Sequence, residues 1–91
     1  MADLTAFGGR TMEVIVYSIK SLKDGYRYVG ITKNLEDRLK RHNGGHNIST
    51  ASHAPFQLIY EEVFSSYNDA RKKEKFLKSG VGRKFLDTLI S

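Results

Sequence analysis

The amino-acid sequence predicts an α+β layer fold, a three-stranded antiparallel sheet flanked by three helices in the order β-β-α-β-α-α. Three observations lead there. Two short runs rich in β-branched and aromatic residues flank Lys23-Asp24-Gly25, a turn sequence. Two later segments carry apolar residues at helical spacing and open on side chains that cap helices. The chain has 91 residues, enough for one small domain that buries only roughly 60–65% of the surface its unfolded form exposes.

The elements follow in order. Met1 to Thr11, with Gly8-Gly9 and no periodicity, reads as a loose tail and leaves residues 12–91 for the domain. Val14 to Ile19 and Tyr26 to Ile31 form a β-hairpin. If Lys20 and Gly25 close its loop, Tyr17 stands opposite Tyr28 and Ile15 opposite Gly30. Asn34, with Asp37 three residues on, caps a helix over about Leu35 to Asn43 that Gly44-Gly45 ends. A polar loop from Gly45 to Ala54 leads to the only proline, Pro55. Phe56 to Phe64 is a third strand, expected to be irregular at Glu61-Glu62, where the alternation breaks. Ser66 and Asp69 make an S-x-x-D capping pattern for a second helix that ends at Ser79-Gly80. A short third helix, about Gly82 to Ile90, is expected to bury Phe85, Leu86, Leu89 and Ile90.

Composition removes several function classes. With no cysteine, there is no disulfide framework, thiolate zinc site or cysteine nucleophile. No apolar run approaches a membrane span, and Met1 to Thr11 lacks the basic start and apolar core of a signal peptide. A soluble cytoplasmic protein with no membrane partner is expected. The net charge of +5 and pI of about 9.6 favour a polyanionic partner. From Arg71 to Lys84 seven basic residues stand against the single acid Glu74, a net of +6, and the remainder sums to −1. Arg71, Lys72, Lys75, Lys78 and Arg83 are therefore candidates for phosphate binding. A solvated helix with lysines chosen for solubility is the plainer reading of the same charge.

Polar residues on apolar faces say more. On the first helix Leu35 and Leu39 define a core stripe, and Arg38 and His42 fall beside it. On the second, Glu74 shares the inward face of Ala70 and Leu77. A buried unpaired carboxylate is costly, so Glu74 requires a cation, either Arg38 or a helix lysine, or a metal ion. Tyr17 and Tyr28 share a hairpin face with Gly30, and a glycine inside a strand often marks a close approach. One face thus collects two phenols, an imidazole, a guanidinium and a carboxylate. That set is chemically sufficient for hydrolysing a phosphodiester, with a cation for the non-bridging oxygens, a base for water and help for the leaving oxygen. With one carboxylate, the metal would be a single, largely hydrated Mg²⁺.

These residues resemble the GIY-YIG nuclease superfamily from Val14 to about Lys84. Ile15-Val16-Tyr17 stands in place of the first signature and Tyr28-Val29-Gly30 in place of the second; Arg38, His42 and Glu74 complete the pattern Y-x10-Y-x-G-x7-R-x3-H-x31-E. The resemblance implies the same sheet-and-helix fold, akin to the amino-terminal nuclease module of the excinuclease C subunit. By resemblance Glu74 would ligate one divalent ion, Mg²⁺ or Mn²⁺, and Arg38 would bind the scissile phosphate. Tyr17 would be the base or water-activating phenol, Tyr28 and His42 would orient water and assist proton transfer, and Gly30 would leave room for substrate. The family's first glycine is Ile15 here. A lysine that some members carry after the second tripeptide is Ile31, with Lys33 two residues on. Many members have an asparagine on the helix after the glutamate; Asp87 and Thr88 stand in the region where it would fall. The implied partner is nucleic acid, DNA in the first place, as repair- or recombination-type substrates. A chain this short leaves target choice to a partner protein. A non-catalytic nucleic-acid-binding module of the same fold is the main alternative, and a zinc site of His42, His46 and His53 a minor one, since Gly44-Gly45 breaks the helix that would align the first two.

Overall fold

Uncharged side chains on both faces from Val14 to Ile19 suit β1 (Val14–Ser21) to the middle of the sheet. There it lies between β2 (Arg27–Thr32) and β3 (Phe56–Phe64), antiparallel to both, in the order β2-β1-β3. The computed structural model describes residues 13–89; the tail expected over Met1 to Thr11, and Ile90, lie outside the described residues. Val14 and Val16 face a layer built with Val29, Ala70, Leu77 and Leu86. Ile15, Tyr17 and Ile19 face the opposite layer, with Leu35, Leu39, Phe56 and Leu58. Helix α1 (Leu35–Asn43) covers the second layer, and α2 (Tyr67–Lys78) with α3 (Gly80–Asp87) covers the first. The expected fold class and element order are therefore those of the molecule. No helix of the described residues is long and apolar enough to cross a membrane.

Local chemistry sets the helix starts. Asn34 Oδ1 accepts the Asp37 N–H at 3.0 Å, and Ser66 Oγ accepts the Asp69 N–H at 3.1 Å, each satisfying one of the free donors of a first turn. Between α1 and β3 the chain makes a single 3-10 turn at Ala51–His53.

Three expectations are corrected. The hairpin closes one residue further along, at Ser21 and Tyr26, where the Ser21 N–H donates to the Tyr26 carbonyl at 2.7 Å. Ser21 Oγ accepts from the Lys23 and Asp24 N–H groups, and Gly25, at φ +80°, supplies the left-handed residue of the loop. Moving the pairing by two leaves each side chain on its expected face. It places Gly30, rather than Tyr28, opposite Tyr17; Tyr28 pairs with Ile19 and Ile15 with Thr32.

The irregularity of β3 lies at Ile59, not at Glu61-Glu62. Those two pair regularly with Tyr17 and Val16, and the register slips between Ser18–Tyr60 and Ile19–Leu58. The extra residue changes which face the even-numbered side chains take: Phe56 and Leu58 pack with Tyr17, whereas Tyr60 and Phe64 pack with Val16.

Helix α3 begins at Gly80, earlier than expected, because Ser79 ends α2 and also caps α3, its Oγ accepting the Gly82 N–H at 3.2 Å. Leu86 is buried, but Phe85 and Leu89 are 36% and 42% exposed. The helix presents only Gly82 and Leu86 inward. A Cβ on Gly82 would lie 1.9 Å from the Phe76 carbonyl oxygen and 2.5 Å from Leu77 Cα, so hydrogen is all that this contact admits.

Candidate active site

Tyr17 has no solvent exposure, and its ring lies over Gly30 on the neighbouring strand. A Cβ at Gly30 would stand 2.8 Å from Tyr17 Oη and 2.9 Å from Tyr28 Cε2, so the phenol occupies the space of the missing side chain. Tyr17 Oη is 2.8 Å from Nε2 of His42, which is equally buried at the inner face of α1. The Tyr28 ring packs against both, with centroids 6.2 Å from Tyr17 and 4.9 Å from His42.

The hydrogen bonds have a direction. His42 Nδ1 lies 2.9 Å from Thr50 Oγ1, and the Thr50 hydroxyl donates to the Asn47 carbonyl at 3.4 Å. With its proton engaged there, Thr50 accepts from Nδ1–H, which leaves Nε2 as the acceptor of the Tyr17 O–H. Burial pushes the Tyr17 phenol up to about 12, with Tyr28 adding to the rise and Arg38 opposing it. Burial, and then the Arg38 charge, hold His42 below the ordinary imidazole value. At neutral pH the pair is a neutral phenol donating to a neutral imidazole.

Glu74 is 8% exposed on α2, between Ala70 and Leu77. Arg71 Nη1 donates to its Oε1 at 2.5 Å and Lys78 Nζ to its Oε2 at 3.1 Å, so its cations come from its own helix. Lys78 is a helix lysine of the expected kind, whereas Arg38 is not the partner. Half-buried on α1, Arg38 acts instead on Tyr17 and His42, and the Glu74 charge also reaches Tyr17.

Among the described residues no three His, Cys, Asp or Glu side chains converge on a point. The three-histidine zinc site does not assemble: His42 is engaged by Tyr17 and Thr50, and His53 Nδ1 by Asp24 Oδ2 at 2.7 Å. A lone carboxylate does fit one hydrated hard cation that takes its remaining ligands from water and a phosphate. Arg71 and Lys78, about half exposed, can release Glu74 to such an ion and turn to the phosphate.

Two basic grooves flank this centre. One is lined by Lys33, Arg38, Arg41 and Tyr67. The other, lined by Arg27, Tyr28, Lys78 and Arg83, adjoins the edge of β2. The helical segment splits the remaining cations. Arg71 and Lys78 lie on the Glu74 side of α2 and Lys75 on its flank, about 100° round, but Lys72 stands about 160° round the helix from Glu74, over Phe64, Asp69 and Phe76. The basic run therefore is not one rim, because a helix turns successive residues to different sides. Thr50 was not singled out in the sequence; its one signal is that a histidine on a core face needs a partner for its second nitrogen.

Residues 13–85 match the model of the GIY-YIG catalytic domain. The chain belongs to the GIY-YIG family. Relatives within it include a UPF0213 protein of Staphylococcus saprophyticus, 37% identical over 70% of this chain and 78% of the relative. A UPF0213 protein of Bacillus licheniformis is 38% identical over 68% of this chain and 65% of its own length. The solution NMR structure of a UPF0213 protein from Bacillus halodurans superposes with a TM-score of 0.53 at 30% identity, covering 87% of this chain and 86% of that one. The three-stranded sheet with its helices is thus a GIY-YIG, nuclease-type fold.

Proposed function

We propose that this GIY-YIG domain is a divalent-metal-dependent endonuclease. It hydrolyses phosphodiester bonds of nucleic acid, DNA in the first place, in repair- or recombination-type substrates, with little sequence preference of its own. The observation that carries the reading is the directed chain Tyr17–His42–Thr50, buried over Gly30 and within electrostatic reach of Arg38 and Glu74.

A phenol pushed up to about 12 does not serve as a free phenolate near neutrality. The geometry offers a relay instead. Tyr17 Oη is closed to solvent in the free domain, so binding of the strand would have to seat a water against it. As that water attacks phosphorus, Tyr17 Oη takes its proton while passing its own to Nε2 of neutral His42, and Thr50 holds the ring in the accepting tautomer. Arg38 binds the phosphate and stabilises charge developing on its oxygens. The opposite P–O bond breaks, and the departing oxygen takes a proton from solvent. Glu74 would hold the ion, Mg²⁺ or Mn²⁺, which when bound polarises the phosphate and eases departure of the leaving oxygen. Lys33, Lys78 and Arg83 would guide the backbone through the two grooves, and Arg71 and Lys75 would add positive charge along α2.

The test is a cleavage assay on plasmid, single-stranded and branched DNA with Mg²⁺ or Mn²⁺. Glu74→Gln is expected to lose cleavage by about 100-fold or more and to keep nucleic-acid binding. Cleavage that survives this substitution overturns the metal assignment. Binding without cleavage of any substrate by the wild type establishes the non-catalytic module instead.

A further inference from the structure

The groove beside β2 contains more than cations. At the hairpin turn the Tyr26 ring lies flat on the His53 ring, with centroids 4.0 Å apart and planes 8° from parallel. The His53 ring and the backbone on both sides of the stack are held. His53 Nδ1 bonds Asp24 Oδ2 at 2.7 Å, its carbonyl accepts from Ser21 Oγ at 2.6 Å, and the Tyr26 N–H donates to Asp24 Oδ1 at 3.0 Å. Tyr26 is still 37% exposed and lines the groove with Arg27, Tyr28, Lys78 and Arg83. Nothing in the relay of Tyr17 and His42 uses this pair. An exposed aromatic ring already stacked on a hydrogen-bonded partner loses little freedom when a flat ligand settles on it.

Position tells what the ligand is. Tyr26 immediately precedes β2 and lies two residues from Tyr28, a separation of about 7 Å along an extended chain. Tyr28 packs on Tyr17 and His42, so a strand whose phosphate lies at Tyr17 can carry a neighbouring nucleotide over Tyr26. Cations for the intervening backbone are present: Lys78 reaches both Glu74 and the groove, and Arg83 forms no ion pair among the described residues. In duplex DNA the faces of each base are covered by neighbours about 3.4 Å away. A tyrosine ring meets an open face only where the strand is unpaired or ends.

We infer that Tyr26, backed by His53, is a stacking platform for an unpaired nucleobase next to the scissile phosphate. The domain thereby selects nucleic acid with a single-stranded flank beside the cut. This inference rests on the endonuclease reading and adds the shape of the substrate to it.

The experiment measures binding without divalent ions, so that nothing is cleaved. The probes are a duplex with a single-stranded overhang carrying 2-aminopurine and a blunt duplex with the same number of phosphates. Wild type should bind the overhang more tightly and quench its fluorescence. Tyr26→Ala should weaken overhang binding about tenfold and abolish the quench, leaving the blunt duplex unchanged. Tyr26→Phe, which keeps the ring, should retain both. Equal losses on the two probes, or overhang binding and quenching that survive Tyr26→Ala, overturn the platform. If Tyr26→Ala is silent while wild type cleaves and Glu74→Gln does not, only the platform falls; if wild type binds neither probe, the endonuclease reading falls with it.

Discussion

On one side of β1, Val14 and Val16 meet Val29, Ala70, Leu77 and Leu86, a contact that requires only shape and apolar surface. On the other, Tyr17 lies as deeply buried but ends in a hydroxyl committed to His42, and through it to Thr50. Each layer has a glycine at its tightest point, and the two glycines meet different things. Gly82 presses on the backbone of α2, at Phe76 and Leu77, whereas Gly30 presses on the ring tips of Tyr17 and Tyr28. Backbone within a helix has little room to give, while a side chain can shift and carry a reactive group out of place. The first layer therefore governs whether the domain folds, and the second what it does when folded.

The sharpest way to break that division is Tyr17→Phe. The ring stays and the hydroxyl goes, so cleavage should fall by about 10²- to 10⁴-fold, while urea unfolding shows a loss of about 1–3 kcal/mol from the buried His42 Nε2 left without its donor. Unaltered cleavage would return Tyr17 to packing alone. The same variant tests the raised phenol. In the wild type the unfolded chain releases this proton above pH 10 while the folded chain keeps it to about 12, so stability should decline across that window. Tyr17→Phe should make the decline shallower, the effect of Tyr60, also raised by burial and by Glu62, remaining.

Next in size is the pair of glycine variants. Gly82→Ala forces a methyl group against backbone and should lower stability by about 3 kcal/mol, with activity per folded molecule unchanged. Gly30→Ala should lower stability less and cleavage more, because Tyr17 Oη must move. Denaturation and active-site titration of the two variants side by side decide the matter, and equal effects on both readouts would erase the distinction between the layers. The smallest effect separates the two sides of α2. Lys75→Ala should reduce the slope of log affinity against log salt by about 1, and Lys72→Ala should leave it unchanged. A matching reduction for both would make the whole segment a single phosphate-binding surface.

The helices were legible where a single residue fixes the geometry: Asn34 and Ser66 cap as their side chains dictate, and the 3.6-residue period places His42 and Glu74 inward. The hairpin faces were legible too, since a shift by two residues preserves them, but the pairing was not, because it depends on which residue Ser21 Oγ ties into the loop. The bulge at Ile59 is a property of two strands together and leaves no mark in one. Thr50 was hidden for a related reason: it lies in a loop without period, and only the folded chain brings it to His42. Ser79 could be read as a helix end, and its second task as the cap of α3 brought that helix forward by two residues.

The Ile59 bulge reaches further than its own strand. Phe56, on the near side of it, points into the α1 layer and sets its ring edge-on to His42, with centroids 6.0 Å apart, while its N–H is taken up by Asn43 Oδ1. Phe64, on the far side, points into the layer of α2 and α3. One strand is thus written in two reading frames, and the single inserted residue between them lets the same nine residues furnish a wall for the imidazole and an anchor for the apolar core.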